Sequence, residues 1–379
     1  MTLLRACLVT IVLTSLGASG AARAQAFQPD DPQQVLLRVG PAPLTGKAEP
    51  RTLAQALIRA QAWIEEGRRT SEPRGFGRAE ALLHRWSMQG AGNAQWHVLG
   101  ADIHQYRHDY DRALANLGRA LQIEQGNVRA LLMRAAVRQT RGEFESARSD
   151  CNALLAQGEV SLGSTCLAQI LGLTGQLSRA RALLERQVKD DASAAAIRVW
   201  RLGALADMAD RAGDAADAER YLRQALRIQS NDQYISLALV DLLLLQGRPA
   251  EVETLLRSLP LTEAVQLRRA EALRATARST EAALAQLQAL RLQARQRGEA
   301  VDLRDAARLE RLQGRSCEAL KAARSNWASQ REPADIRLLL AAGTECHDPG
   351  AIEDVRRWLA ATRYEDTRLQ TMLRAARRS

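Results

Sequence analysis

Aromatic side chains make up only 4% of the 379 residues, and chain-breaking residues are few, with 10 prolines and 24 glycines. Sandwiches and barrels of short strands need β-branched or aromatic residues and frequent turn signals; this composition disfavours both. Lysine is rarer still, since of 53 basic residues only Lys47, Lys189 and Lys321 are lysines. The rest are arginines, spread along the chain and interleaved with 43 acids. A net charge of +10 raises the question of nucleic acid. Without lysine runs or RGG tracts it reads as solvated helix faces, and no nucleic-acid partner is expected. No G-x-S-x-G, phosphate-binding loop, glycine-rich dinucleotide turn or catalytic Cys-His pattern occurs, so neither enzymatic activity nor a cofactor is expected.

Alanine, leucine, arginine and glutamine fill most windows. They lose little side-chain freedom in a helix, and the fold class they imply is all-α. The N-terminus departs from this pattern. Arg5 precedes an apolar run from Ala6 to Gly17, and Ala22 and Ala24 then give the A-x-A arrangement of a secretory signal. Residues 1–24 read as a signal peptide cleaved after Ala24, which places the mature chain in the periplasm. No second apolar stretch of about 20 residues comes after it, so a soluble protein is expected, at most peripheral to an envelope assembly. Residues 25–50 are punctuated by proline and read as an extended arm.

Cleavage leaves four cysteines, Cys151, Cys166, Cys317 and Cys346, in a compartment that favours disulfides. Gly158 lies midway between the first two and the Glu332-Pro333 break midway between the others. If each midpoint is the turn of a helical hairpin, antiparallel packing sets the partners at one height, and two disulfides are expected.

A small residue recurs at Ala79, Ala113, Ala147, Ala180, Ala218 and Val252, mostly 33 to 34 positions apart. Five residues before most of them stands a turn glycine, as in "RGEFESA", "TGQLSRA", "AGDAADA" and "QGRPAEV". Together with Trp96, Leu99, Gly100 and Ile103, followed by Ala113 and Leu117, this resembles the W-x2-L-G-x2-Y … A-x3-F pattern of the tetratricopeptide repeat (TPR) family. The resemblance covers residues 51–363 and fades toward both ends, where Ala277 replaces one turn glycine. It implies a right-handed α-solenoid of about nine TPR-like helix pairs, each leaning on its neighbours in a curved row. Residues 364–379 read as a C-terminal capping helix, with Leu369, Met372, Leu373 and Ala376 on its apolar stripe and arginines toward water.

In such solenoids the first helix of each pair lines the concave groove, where a partner protein or peptide docks. Carried over by motif, the groove positions are His97, His104 and Gln105, then Arg129 and Gln139, then Trp200, Asp207, Asp210, Tyr234 and Asp241, and finally Arg304, Arg308 and Arg311; for Trp200 a place as ordinary core against the neighbouring helix stays open. The resemblance thus implies a non-enzymatic interaction scaffold of the bacterial envelope. Two other chemistries stay open. His97, His104 and His108 share one helical stripe and are candidate metal ligands. Arg304, Arg308 and Arg311 fall at i, i+4, i+7 and offer a basic stripe to an anionic polymer.

Overall fold

A computed structural model describes residues 49–189 and 193–376. Pro50–Ser379 forms one compact unit. The expected signal peptide and residues 25–48 of the expected arm lie outside the described residues.

Within the described residues there are twenty helices and no strand, and every helix belongs to that unit. Eighteen form nine antiparallel pairs: α1 (Leu53–Thr70) with α2 (Arg74–Arg85), α4 (Ala94–Tyr106) with α5 (Tyr110–Ile123), and α6 (Val128–Arg141) with α7 (Phe144–Ala156). Next come α8 (Val160–Leu173) with α9 (Leu177–Lys189), α10 (Ala195–Ala212) with α11 (Ala215–Ile228), and α12 (Gln233–Leu245) with α13 (Pro249–Leu256). The last three are α14 (Glu263–Ala275) with α15 (Glu281–Gln296), α16 (Leu303–Leu312) with α17 (Ser316–Trp327), and α18 (Pro333–Glu345) with α19 (Pro349–Thr362). A single turn, α3 (Ser87–Gly90), and a final helix, α20 (Thr367–Ala375), complete the fold.

Local sequence sets these boundaries. Thr52, Asn93, Asp109, Asn127, Asp214, Asp232, Thr262, Asp302, Asp348 and Asp366 each accept a backbone N–H from the first turn of the helix they precede, satisfying a donor that the helix leaves unbonded. All nine pairs turn in the same way. A left-handed residue ends the first helix, and the next N–H donates five residues back, as from Glu143 to the Arg138 carbonyl at 2.8 Å. Glycine serves at positions such as Gly142 (φ 76°), where a side chain would be strained. The recurring small residues, from Ala79 to Val252, are all buried; a larger side chain there would push the paired helices apart. Both disulfides are present: Cys151–Cys166 ties α7 to α8, and Cys317–Cys346 ties α17 to the end of α18.

The packing departs from a row in which each pair meets only its neighbours. A single core cluster joins Ala135, Phe144, Ile170 and Leu173 of α6 to α8 with Leu320, Ile336, Leu339, Val355 and Leu369 of α17 to α20. The curved row closes on itself. Three successive turns of the middle pairs dock on the C-terminal segment, with Gly142 against Trp358 and Arg331, Gly175 against Arg363, and Gly213 against Thr367. The Arg331 N–H donates to the Thr140 carbonyl at 2.7 Å. On α18 alone Ile336, Leu339 and Leu340 are fully buried, each contributing about 1.5–3 kcal/mol. The final helix therefore does more than cap. Leu369 enters the core as its stripe predicts, while Arg368 turns from water to pair with Asp210 of α10.

Candidate functional site

Closure brings α10, α12, α14, α16, α18 and α20 around one cleft of about 610 Å³, within the range of ligand pockets. Asp207, Asp210, Tyr234, Asp241, Arg304, Arg308 and Arg311, expected in the groove from the repeat register, all line it. Between them lies an apolar floor of Ala206, Ala218, Leu222, Ile235, Ala238, Leu242, Leu338, Ala341 and Met372. Tyr234 and Leu245, at the two ends of α12, line the same cleft and are 79% and 61% exposed. Ile58, Met88 and Val160 are as exposed elsewhere on the chain; what distinguishes Tyr234 and Leu245 is that both stand in the cleft beside its apolar floor.

The charged lining is matched within the chain. Arg304 reaches Asp335 at 2.6 Å and also Glu332, while Arg308 reaches Asp241 at 2.8 Å and Glu271 at 2.6 Å. Arg311 holds Glu345 with two hydrogen bonds. Arg337 and Arg368 converge on Asp210, and Arg337 also meets Asp366 at 2.7 Å. Asp207 accepts from Arg211, whose guanidinium is fully buried and donates to the Gly172 carbonyl at 2.7 Å. The titration behaviour agrees with this pairing. Burial would raise the Asp241 carboxyl, but Arg308 and Arg268 hold it well below the usual carboxylate range. Burial works against the Arg308 and Arg304 charges, yet Asp241 and Glu271, and Glu332 and Asp335, hold both guanidiniums well above their ordinary value. The basic stripe expected to meet an anionic polymer is therefore already occupied. Carboxylates on or at the start of first helices one or two repeats away have taken each arginine.

The other expected groove residues lie elsewhere. Trp200 is half-buried against the closing core cluster and donates its indole N–H to Gln169 at 3.0 Å. It does not stand beside Tyr234 in the lining, because α8 offers that acceptor and Trp200 packs there as core against the neighbouring helix. Arg129 joins Arg68 in neutralising Asp102, which is fully buried. Gln105 and Gln139 are half-buried and do not line the cleft.

The histidine stripe dissolves. His97 is buried, its two ring nitrogens 3.1 Å from the Asn116 side-chain oxygen and 3.0 Å from the Ala91 carbonyl. His104 stands 3.7 Å from Asp109, and burial lowers its pKa. His108 is off the helix, which ends at Tyr106. It takes the left-handed turn position (φ 57°) that Gly142 fills one repeat later, and its Nδ1 meets Tyr110 Oη and Gln330 Nε2. Among non-glycine residues histidine tolerates that conformation relatively well, so the three rings do not converge. No group of three or more His, Cys, Asp or Glu side chains poised for a metal occurs among the described residues. Nor, among them, is any helix long and apolar enough to cross a membrane.

Sequence reasoning missed Glu271, Arg337, Arg368, Leu245 and Met372 in the lining. One signal was available for Leu245: the run "LLLL" ending α12 holds more leucine than a one-sided helix can bury. Arg337 and Arg368 carry no such mark, because they reach the cleft only through closure.

Residues 211–277 match the tetratricopeptide repeat family. No curated protein matches the sequence. Similar solved structures include a tetratricopeptide repeat protein from Parabacteroides merdae, 14% identical over 76% of this chain and 98% of that one, with a TM-score of 0.37. The human IFIT1 dimer with PPP-AAAA is 12% identical, over 81% and 72% of the two chains, with a TM-score of 0.49. Yeast Tom70 is 11% identical, over 84% and 95%, with a TM-score of 0.26. The tetratricopeptide repeat match falls on residues 211–277, from the end of α10 to the turn after α14, and the same paired-helix turn recurs on both sides of that segment, so the all-α architecture of the described residues is that of tetratricopeptide-like helix pairs.

Proposed function

We propose that this protein is a non-enzymatic interaction scaffold of the bacterial envelope, exported by cleavage after Ala24, and that the cleft walled by α10 to α20 receives a segment of a partner protein. The observation that carries the reading is the pair of exposed side chains, Tyr234 and Leu245, inside a cleft whose floor is otherwise apolar. Aromatic anchors in concave, partly desolvated settings dominate the energetics of protein recognition. The tetratricopeptide repeat architecture, used widely as a protein-interaction module, favours the same class. The paired arginines and dispersed histidines give the metal and anionic-polymer readings no comparable support.

The test places a photo-crosslinking amino acid at Tyr234 in the full-length chain, in cells, with Gln296, at the end of the outer helix α15, as the control position. A crosslinked protein seen from Tyr234 and lost on Leu245→Lys is expected. Identical products from both positions would refute the cleft as the binding site. Export is tested separately: periplasmic fractionation with N-terminal sequencing should return Gln25 as the first residue, and an intact Met1 on a cytosolic product would remove the envelope from the proposal.

A further inference from the structure

Each of the nine charged side chains lining the cleft is already engaged by an opposite charge of this chain, Asp241 for instance by both Arg268 and Arg308. A charged ligand group would have to displace one of these partners. The displaced carboxylate or guanidinium would be stranded in a half-buried wall, and an ion pair gained would be offset by an ion pair lost. The surface that the cleft leaves unmatched is apolar.

Building on the partner-binding reading of the same cleft, we infer that it selects an uncharged stretch of a partner polypeptide with two large apolar side chains, one against Tyr234 and one against Leu245, and that it rejects a charge between them. The spacing is set by α12. Eleven residues separate the two positions, close to three helical turns, so both lie on one face about 16 Å apart. An extended segment covers that distance in roughly four to six residues, and because its side chains alternate, anchors four or six positions apart face the cleft together. Asp241 lies on the same face between them, its charge spent on the two arginines. A polypeptide fits this lining better than a hydrocarbon. The matched pairs keep lone pairs and N–H groups that a neutral backbone can meet through hydrogen bonds, whereas a lipid chain would bury them unsatisfied.

The test selects random peptides displayed on phage against the purified mature protein, with subtraction on the Tyr234→Ala/Leu245→Ala double variant. Both side chains are largely exposed, so the variant should fold, and its circular dichroism and urea midpoint are checked first. The expected result is a set of peptides that depend on the two residues, with large apolar side chains about four or six positions apart and no Lys, Arg, Asp or Glu between. Synthetic copies should change affinity by less than about threefold between low and high salt, because little charge is neutralised on binding. Peptides that depend on Tyr234 and Leu245 but are charged between the anchors and weaken steeply with salt would overturn this inference while leaving the cleft as a binding site. A selection yielding nothing dependent on the two residues would overturn the inference and the partner-binding reading together.

Discussion

Gly142 and Gly247 occupy the same turn of two different pairs, with φ of 76° and 68°, and they separate local strain from closure. Alanine at either position must hold a left-handed conformation, costing about 1–2 kcal/mol. At Gly247 an added Cβ meets nothing within 4 Å. At Gly142 it would lie 3.0 Å from Cζ2 of Trp358, closer still to Cη2, and 3.3 Å from Cδ of Arg331. That indole is fixed by Phe144 at 5.7 Å, Trp327 at 5.6 Å and the Arg331 guanidinium at 5.0 Å. Relief of the clash therefore means moving the C-terminal pairs, an overpacking penalty of about 1–3 kcal/mol. In urea denaturation monitored by circular dichroism, Gly142→Ala should be less stable than Gly247→Ala by that amount. The excess should vanish in a Trp358→Ala background, where the obstructing ring is gone. Equal losses for the two glycine variants would show that Trp358 is not seated on that turn, and the closed arrangement would fail.

Two further outcomes depend on particular side chains. Cys151 and Cys166 are buried whereas Cys317 is exposed, so mild reduction with alkylation should label Cys317 and Cys346 first; each disulfide should contribute about 3–4 kcal/mol by loop closure, and simultaneous labelling of all four thiols would contradict the assignment. The Asp241 carboxyl sits below its ordinary value because of Arg308 and Arg268, despite burial; the stability it supplies is present above the unfolded value and is lost as pH falls toward the folded one. Asp241→Asn should therefore flatten the loss of stability below about pH 4, and an unchanged acid profile would count against the pairing.

Much of the architecture is legible in the sequence because it is local. The roughly 34-residue period marks where paired helices touch, and the turn glycines mark where the backbone goes left-handed. The cysteines' equal distance from their turns placed each pair at one level of its hairpin. Register also brought Asp207, Asp210, Tyr234, Asp241 and the three arginines of α16 to one cleft, since residues at equivalent phases of successive first helices face the same way. Closure was not legible, because a repeat pattern speaks only of neighbours. The nearest signal is α18, "PADIRLLLAAGTE", which is apolar on more faces than contact with adjacent pairs can cover. What depends on closure was missed with it: the meeting of Arg337 and Arg368 with Asp210. The histidines failed for a different reason. Helical spacing assumed a helix through His108, whereas the chain had already turned at Arg107.

The cleft exists only because the row of repeats meets itself. The backbones of Thr140 and Arg331 are joined by a hydrogen bond, which sets their Cα atoms about 5 Å apart. Thr140→Cys and Arg331→Cys introduced together, with the four native cysteines held in their disulfides, should be bridged within one chain by a short bifunctional thiol reagent and identified by peptide mass mapping. Two thiols that each take up the reagent singly, with no bridge formed in dilute protein, would contradict closure and the cleft with it.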